Sequence, residues 1–302
     1  MSLLDRAVVA LLPAVPKPVV RKLSSRYIAG PSLDDARRVV AGLNAEGKLA
    51  TVDVLGEEIT GVDEAEGIAA EYVAALDAFE RDGLDANVSV KPTGLGLKLG
   101  YDVCKRNVEA VIAAAEPTNR FVRIDMEDSS TTDDTLRLFR ELRDEGHRRV
   151  GPVLQASLRR TVADAAALAG ASVRLCKGIY VEPESIQYRD DQAVRDSFVQ
   201  ALATLLDGGC YVGIATHDEW LVDRALGAIA DRGLGTDAYE FQMLLGVRPE
   251  LGDRIVGDGH KLRIYVPFGR QWYEYSLRRL QENPKIAGYV AGDLGRSVFR
   301  RS

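Results

Sequence analysis

Eight short β-prone runs alternate with helical patterns from residue 49 onward, and this alternation restricts the possible fold more than any other feature. The β-prone runs are Ala50–Leu55, Asn87–Val90, Phe121–Asp125, Val153–Ala156, Ser172–Cys176, Tyr211–Ala215, Tyr239–Met243 and Leu262–Val266. Amphipathic helical patterns separate most of them, at 64–81, 102–115, 133–145, 160–168, 193–206 and 219–230. Such alternation favours right-handed crossovers and a parallel sheet, and eight strands favour closure of that sheet. The sequence therefore predicts an α/β fold, a (β/α)8 TIM-like barrel at residues 49–302.

Residues 1–48 depart from this pattern and are predicted to form an N-terminal helical arm. Three prolines interrupt its first part, and Ser32 can cap a helix that begins at Leu33. The apolar run at 7–15 contains a proline and lacks a clear basic flank. It is therefore a poor signal peptide and is too short to span a bilayer.

Composition argues against several classes of partner and site. The 302 residues carry a formal net charge of −6, so the chain has no net positive field with which to attract nucleic acid or an anionic membrane. Its three cysteines show no paired spacing, which argues against a disulfide framework or a zinc site and favours a reducing, cytoplasmic location.

Polar residues recur within or just after the predicted strands. They are Asp53, Lys91, Asp125, Gln155, Arg174, Lys177, Thr216, His217, Gln242 and Tyr265. In a (β/α)8 barrel such positions converge on the carboxyl end of the strands, where active sites are built. We therefore expect one site at this end of the barrel.

Two lysines in this set have more than one possible role. Lys91 can pair with an acid such as Asp53, bind a carboxylate or form a Schiff base. Lys177 lies close to Arg174 and precedes Gly178, so this group can neutralise a pyrophosphate while the glycine permits close backbone approach. The glycines at 94, 96 and 100 depart from a dinucleotide-binding fingerprint and favour a tight loop instead.

The run that ends at Asp128 contains three carboxylates within four residues, which permits a two-metal hydrolytic site. Metal sites of that class often recruit histidines. Of the three histidines in the chain, His217 alone follows a predicted strand. No metal site is predicted.

A helix is predicted after the last strand, and one of its faces is suited to a carboxylate. Tyr275, Arg278, Arg279 and Glu282 share that face because they are spaced at i, i+3, i+4 and i+7. Two adjacent guanidiniums offer planar forks of donors that match the oxygens of a carboxylate. Glu282 can align one of them.

The segment that contains this pattern, Tyr265-Val-Pro-Phe-Gly followed by Trp272, Tyr275, Arg278-Arg279-Leu280 and Glu282-Asn283, resembles the C-terminal signature of the proline dehydrogenase family. Further motifs resemble the same family in order along the chain, from Asp53-Val-Leu-Gly-Glu57 through Arg174-Leu-Cys-Lys-Gly-Ile-Tyr180 and Ala215-Thr-His217 to Tyr239-Glu-Phe-Gln-Met-Leu-Leu-Gly246. The resemblance covers about Asp53 to Asn283. It implies a distorted (β/α)8 barrel and the monofunctional bacterial form of the enzyme.

The resemblance also implies roles for individual residues. Asp125 and Arg174 are the implied catalytic residues. The implied substrate-binding residues are Lys91, Tyr180, Leu244, Tyr265, Arg278 and Arg279. The implied FAD contacts are Met126, Gln155, Arg174, Lys177, Gly178, Thr216 and His217. Glu57 is implied to close the site by pairing with Arg279, beside an Asp53–Lys91 pair. An aromatic residue often follows the tyrosine of the Arg174–Tyr180 motif in the family, whereas this chain has Val181.

The activity implied is FAD-dependent oxidation of L-proline to 1-pyrroline-5-carboxylate, with electrons passed to a quinone. Contact with the inner face of the membrane would then be peripheral and transient, and the product could pass to 1-pyrroline-5-carboxylate dehydrogenase. Two alternatives stay open. One is a Schiff-base aldolase that uses Lys91 or Lys177. The other is a barrel that binds amino acids without catalysis.

Overall fold

A closed barrel of eight parallel strands forms the centre of the computed structural model, which describes residues 26–56, 59–273 and 276. The strands are β1 (Leu49–Val54), β2 (Ala86–Val90), β3 (Val122–Ile124), β4 (Val150–Gln155), β5 (Ser172–Cys176), β6 (Tyr211–Ala215), β7 (Tyr239–Leu244) and β8 (Leu262–Phe268). Each strand pairs with its sequence neighbours, and β8 pairs with β1 to close the barrel. The predicted (β/α)8 fold is thereby confirmed.

Helices connect most of the strands and cover the outside of the barrel. Within the described residues the α-helices are α1 (Leu33–Ala45), α2 (Val62–Arg81), α3 (Tyr101–Ala115), α4 (Thr132–Asp144), α5 (Thr161–Ala166), α6 (Asp191–Asp207), α7 (Glu219–Asp231) and α8 (Pro249–Gly257). None of the helices in this part of the chain combines the length and the apolar character needed to cross a membrane.

The two faces of the barrel wall differ in polarity. Outward-facing side chains of the strands, such as Val52, Ile124 and Phe241, are buried against the helices and form the main hydrophobic core. The intervening residues face the interior and are largely polar, because successive side chains of a strand point to opposite sides. Arg174 of β5 shows this directly, since its guanidinium crosses the interior to Asp125 beyond β3.

Helix α1 occupies the position between β8 and β1 on the outside of the barrel. Ser32 caps it, as the sequence predicts, and the structure adds a reciprocal capping box between Ser32 and Asp35. Its buried residues Ala36 and Val40 belong to the same hydrophobic core as the strands. Just before it, the N–H of Ala29 donates to the carbonyl of Pro267, 2.9 Å away. The boundary between an arm at 1–48 and the barrel stays a prediction.

Two local features differ from the sequence-based expectation. Helix α8 was not among the predicted helices, because it is short and buries only one narrow stripe, at Leu251 and Ile255. Strand β8 continues through Pro267 to Phe268 instead of ending at Val266. Proline lacks a backbone N–H and therefore removes one hydrogen-bond donor from the strand. The strand can still continue past it, because the backbone carbonyl oxygens accept hydrogen bonds from β1. The carbonyl of Phe268 receives the N–H of Leu55 at 2.8 Å.

Candidate active site

A cavity of about 750 Å³ opens at the carboxyl ends of the strands. Most of the residues predicted to form the site line it, namely Lys91, Asp125, Met126, Gln155, Arg174, Lys177, Gly178, Tyr180, Thr216, His217, Leu244 and Tyr265. Asp53 is fully buried and forms an ion pair with Lys91. Val153, Met243 and other apolar residues complete the wall. An apolar wall with a few charged groups is typical of a small-molecule or cofactor pocket.

Four of the predicted site residues lie outside the described residues. They are Glu57, Arg278, Arg279 and Glu282, and Tyr275 on the same predicted helix face lies outside them as well. Carboxylate binding by the two arginines and closure by Glu57 therefore stay predictions.

The first polar cluster of the site is built around Asp53 of β1. The ammonium of Lys91, directly after β2, pairs with one carboxylate oxygen of Asp53. From outside the barrel, α2 contributes Tyr72, whose hydroxyl lies 3.1 Å from Asp53 Oδ1 and 2.8 Å from the carbonyl of Ser89. Burial raises the pKa of Tyr72 well above its usual value, so the phenol keeps its proton. Asp53 is thereby held on two sides beneath the cavity.

The second polar cluster is centred on Asp125. Its Oδ1 accepts hydrogen bonds from Ser89 Oγ at 2.6 Å and from Arg174 Nη1 at 2.7 Å. Its Oδ2 accepts the hydroxyl of Tyr265 at 2.9 Å. The same hydroxyl accepts a hydrogen bond from Lys91 Nζ at 3.1 Å. Tyr265 therefore joins the two clusters, with its proton directed towards Asp125.

A cationic group stands at the opposite side of the cavity, after β5 and β6. Lys177 Nζ donates to Asp218 Oδ2 at 2.5 Å, and Arg195 of α6 donates to both carboxylate oxygens at 2.8 and 3.1 Å. Burial alone would raise the pKa of Asp218, but these two cations lower it to about 2. Two cations face one carboxylate, so the group carries a local positive charge.

Gly178, next to Lys177, adopts a conformation that favours glycine. Its φ is +94°, and an added Cβ would collide with Ser157 Oγ and lie 3.0 Å from Gln155 Cβ. The following loop is held by Gln187, whose Nε2 donates to the carbonyl of Tyr180 at 2.6 Å. A side chain at position 178 would therefore strain the backbone and collide with the neighbouring residues, so this shape of the loop depends on glycine.

His217 lies in the cavity wall as a neutral imidazole. Burial, reinforced by the nearby charge of Arg248, lowers its pKa to about 4. Its Nε2 accepts the N–H of Leu244 at 2.9 Å, so the neutral ring carries its proton on Nδ1. Thr216 beside it is buried, and its Oγ1 accepts the N–H of Asp218 at 3.1 Å.

The three carboxylates after β3 are separated by the structure. Asp125 enters the barrel interior, whereas Glu127 accepts the N–H of Thr93 at 2.8 Å. Asp128 caps the following short 3₁₀ helix and pairs with Lys98 at 3.0 Å. Within the described ranges, no group of three histidine, cysteine, aspartate or glutamate side chains could hold a metal ion.

Several residues of the site were not predicted from the sequence. Asp218 follows His217 directly, so its place at the end of β6 could have identified it. Ser89 lies two residues before Lys91, and strand alternation puts both in the interior. Tyr72 and Arg195 come from helices, where the sequence offers no signal that they reach the site.

Comparison with known proteins identifies the family of this chain. The model of the proline dehydrogenase family matches residues 36–291. A proline dehydrogenase of Deinococcus radiodurans is 35% identical over 274 residues, which cover 89% of this chain and 88% of that protein. Proline dehydrogenase 1 of Bacillus subtilis strain 168 is 32% identical over 267 residues, which cover 88% of each.

A solved structure shares the fold. It is proline utilization A of Bdellovibrio bacteriovorus, inactivated by N-propargylglycine, with a TM-score of 0.82 and 24% sequence identity. The similarity covers 92% of this chain and 36% of that one. The match of a family model over most of the chain, together with two relatives above 30% identity, shows the family. This chain is an enzyme that belongs to the proline dehydrogenase family.

Proposed function

We propose that this protein oxidises L-proline to 1-pyrroline-5-carboxylate, with FAD bound in the cavity as the acceptor. The observation that carries the proposal is the cavity itself. It joins the Asp53–Lys91 and Asp125–Arg174–Tyr265 clusters to the loop at Lys177–Gly178, in a chain of the proline dehydrogenase family. The first two clusters fit a small polar substrate, and the loop fits a phosphate-bearing cofactor.

Three features of the cavity are compatible with FAD. Its volume of about 750 Å³ lies within the range of about 300–1,000 Å³ that is usual for cofactor pockets. Lys177 and Arg195 supply positive charge for a pyrophosphate, and Gly178 permits close approach of the backbone. The Nδ1–H of His217 is a donor for a carbonyl or ring nitrogen.

The remaining predicted cofactor residues, Met126, Gln155, Arg174 and Thr216, line the same cavity. Met126 supplies an apolar surface, and the other three supply polar groups. FAD, when bound there, would supply the acceptor for the hydride that leaves proline.

The substrate side of the site is proposed to position the proline ring. Arg278 and Arg279 are proposed to bind the carboxylate, as charge-assisted hydrogen bonds favour. Tyr180, Leu244 and Tyr265 would enclose the ring. Fixing the carboxylate and the ring together makes the carbon beside the nitrogen a positioned reactant.

The polar clusters set the charge around that carbon. Asp53 neutralises Lys91, and Asp125 neutralises Arg174. Hydride leaves most readily when the proline nitrogen is neutral. Asp125 already accepts three hydrogen bonds from Ser89, Arg174 and Tyr265. We therefore propose that it orients the site and that no side chain is an obligatory base.

We propose a quinone as the next electron acceptor, reached by peripheral contact at the inner face of the membrane. The product, 1-pyrroline-5-carboxylate, would be consumed by a dehydrogenase that acts on it or on its hydrolysed form. A cytoplasmic location would allow both the contact with the membrane and the transfer of the product.

A Schiff-base aldolase on the same barrel is less well supported. A Schiff base needs a lysine nitrogen that is unprotonated. Lys91 is paired with Asp53, and Lys177 with Asp218.

The visible spectrum of the purified protein tests the proposal. We expect a flavin spectrum that bleaches after anaerobic addition of L-proline but not of D-proline. A bound flavin that stays oxidised would contradict the substrate. Protein that neither contains nor takes up FAD, yet is stabilised by L-proline, would identify a binding module instead.

A further inference from the structure

A buried polar chain runs from Arg174 and Gln242, which both line the cavity, to Glu240 behind them. Arg174 Nε donates to Gln242 Oε1 at 2.5 Å, and Gln242 Nε2 donates to Glu240 Oε1 at 2.6 Å. All three side chains are nearly inaccessible to solvent. No step of the proposed oxidation uses Gln242 or Glu240. Their hydrogen bonds nevertheless lead to the guanidinium of Arg174, which belongs to the site.

Glu240 is held as a carboxylate at the lower end of this chain. Arg263 donates to both of its oxygens, at 2.7 and 3.0 Å, and Tyr211 donates to Oε2 at 3.0 Å. Burial alone would raise the pKa of Glu240, but the charge and hydrogen bonds of Arg263 lower it below its usual value. An ionised carboxylate can only accept hydrogen bonds.

The charge of Glu240 fixes the orientation of the Gln242 amide. An amide has a donor end and an acceptor end. Because Glu240 accepts, the NH2 group of Gln242 must face it, and the oxygen must face Arg174. The reversed amide would place an oxygen against a carboxylate and an NH2 group against the Nε–H of Arg174, which repel in both places.

Gly213 leaves the space that this contact needs. It lies on β6, between Arg174 of β5 and Glu240 of β7 in the register of the sheet. A Cβ added at Gly213 would lie 2.6 Å from Gln242 Nε2. The missing side chain therefore lets Gln242 and Arg174 meet across an intervening strand. With its Nε fixed in this way, Arg174 directs Nη1 to Asp125 and Ser89, at 2.7 and 3.0 Å.

We propose that Gln242 is a positioning residue that fixes the guanidinium of Arg174 in the active site, and that Glu240 sets the orientation of its amide. This inference rests on the proposed oxidation of proline, because Arg174 is placed there as a catalytic and flavin-contacting residue. Gln242 lines the cavity beside Arg174, and its proposed effect on the reaction is exerted through Arg174.

A double-mutant cycle tests the inference, with the rate constant of flavin reduction by L-proline as the measurement. Gln242→Met keeps the side-chain length but removes both hydrogen bonds. The Nε–H of Arg174 then has lost its bond to Gln242 in a buried site, which should slow flavin reduction by about tenfold to a hundredfold. Arg174→Lys keeps the positive charge but has no Nε–H for Gln242. In that background we expect Gln242→Met to have almost no further effect, because the bond is already absent.

The absorption spectrum of the bound FAD provides a second readout that does not depend on turnover. We expect Gln242→Met to change the spectrum in the same direction as Arg174→Lys, and the double variant to resemble Arg174→Lys alone. Gln192→Met is the matched control, because Gln192 is exposed on α6 and its amide donates to Asp196 at 2.8 Å. The flavin bound to this control variant should be reduced by L-proline at the wild-type rate.

Two results would overturn the inference. One is a Gln242→Met variant that binds FAD and is reduced at the wild-type rate. The other is an equal loss of rate in the wild-type and Arg174→Lys backgrounds, which would indicate a general structural role. Failure of the wild-type flavin to be reduced by L-proline would instead contradict the proposed function, so the two failures are distinguishable.

Discussion

Tyr265 connects the two polar clusters of the site through its hydroxyl group. Its hydroxyl accepts from Lys91 and donates to Asp125. Tyr265→Phe removes these bonds and keeps the ring. We expect kcat/KM for L-proline to fall by about tenfold, since hydrogen bonds to charged groups contribute about 1.5–3 kcal/mol. Tyr188→Phe, at a tyrosine that packs on Arg159, should leave kcat/KM unchanged. Equal kcat/KM values for the two variants would mean that the Tyr265 hydroxyl does not contribute to the reaction.

His217 should make the stability of the protein depend on pH. Its pKa is about 4 in the folded protein and near 6.5 when exposed. Between these values the unfolded chain binds a proton that the folded protein does not, so the free energy of unfolding falls as the pH drops from about 6.5 to about 4. Above pH 6.5 this contribution is constant. His217→Gln keeps an acceptor for the N–H of Leu244 and should show a weaker pH dependence in urea unfolding.

The titration of His217 can also be measured directly by NMR. The chain has three histidines, and the variants His147→Gln and His260→Gln assign the other two signals. A His217 signal that titrates near 6.5 would contradict the neutral, buried imidazole.

At the scale of secondary-structure elements, α1 should contribute to the stability of the barrel. Val40 is fully buried in the core that α1 shares with the strands. Val40→Ala should lower the free energy of unfolding by about 2 kcal/mol, from lost burial and the remaining cavity. Val62→Ala is the matched control, because Val62 is 39% exposed at the start of α2. Equal losses in urea unfolding would mean that α1 is only a peripheral arm.

The strands could be predicted from the sequence because their outward-facing residues are consistently apolar and turn residues separate them. All eight predicted runs overlap the observed strands. Helix α8 was missed because nine residues with one narrow buried stripe give little periodic signal. Its start is marked only by Arg248, whose φ is +49°, and by Pro249.

The interior of the barrel was predicted only in part. Polar residues at strand ends identified the cavity wall, since each strand could be read separately. Contacts that cross the barrel, such as the one between Arg174 and Gln242, depend on register and on the missing side chain of Gly213. The glycine itself can be read from the sequence, but the residues that face it cannot, because they depend on how strands that are distant in the chain align.

At the scale of the whole molecule, FAD binding should be coupled to folding. A ligand that binds only the folded protein stabilises it by about 2.7 kcal/mol at a concentration one hundred times its Kd. We therefore expect FAD to raise the unfolding midpoint of the protein freed of its cofactor. The increase should depend on the loop at Gly178, which is proposed to approach the pyrophosphate.

Gly178→Ala should reduce this FAD-dependent increase, because the added Cβ would collide with Ser157 Oγ and press on Gln155, which lines the cavity. It also introduces backbone strain, since φ at Gly178 is +94°. Gly170→Ala separates the two effects. Gly170 has a φ of +72°, but nothing lies within 4 Å of an added Cβ there. This control should lower the midpoint of the FAD-free protein yet keep the full increase on adding FAD. If Gly178→Ala also kept the full increase, close approach of FAD to this part of the loop would be contradicted.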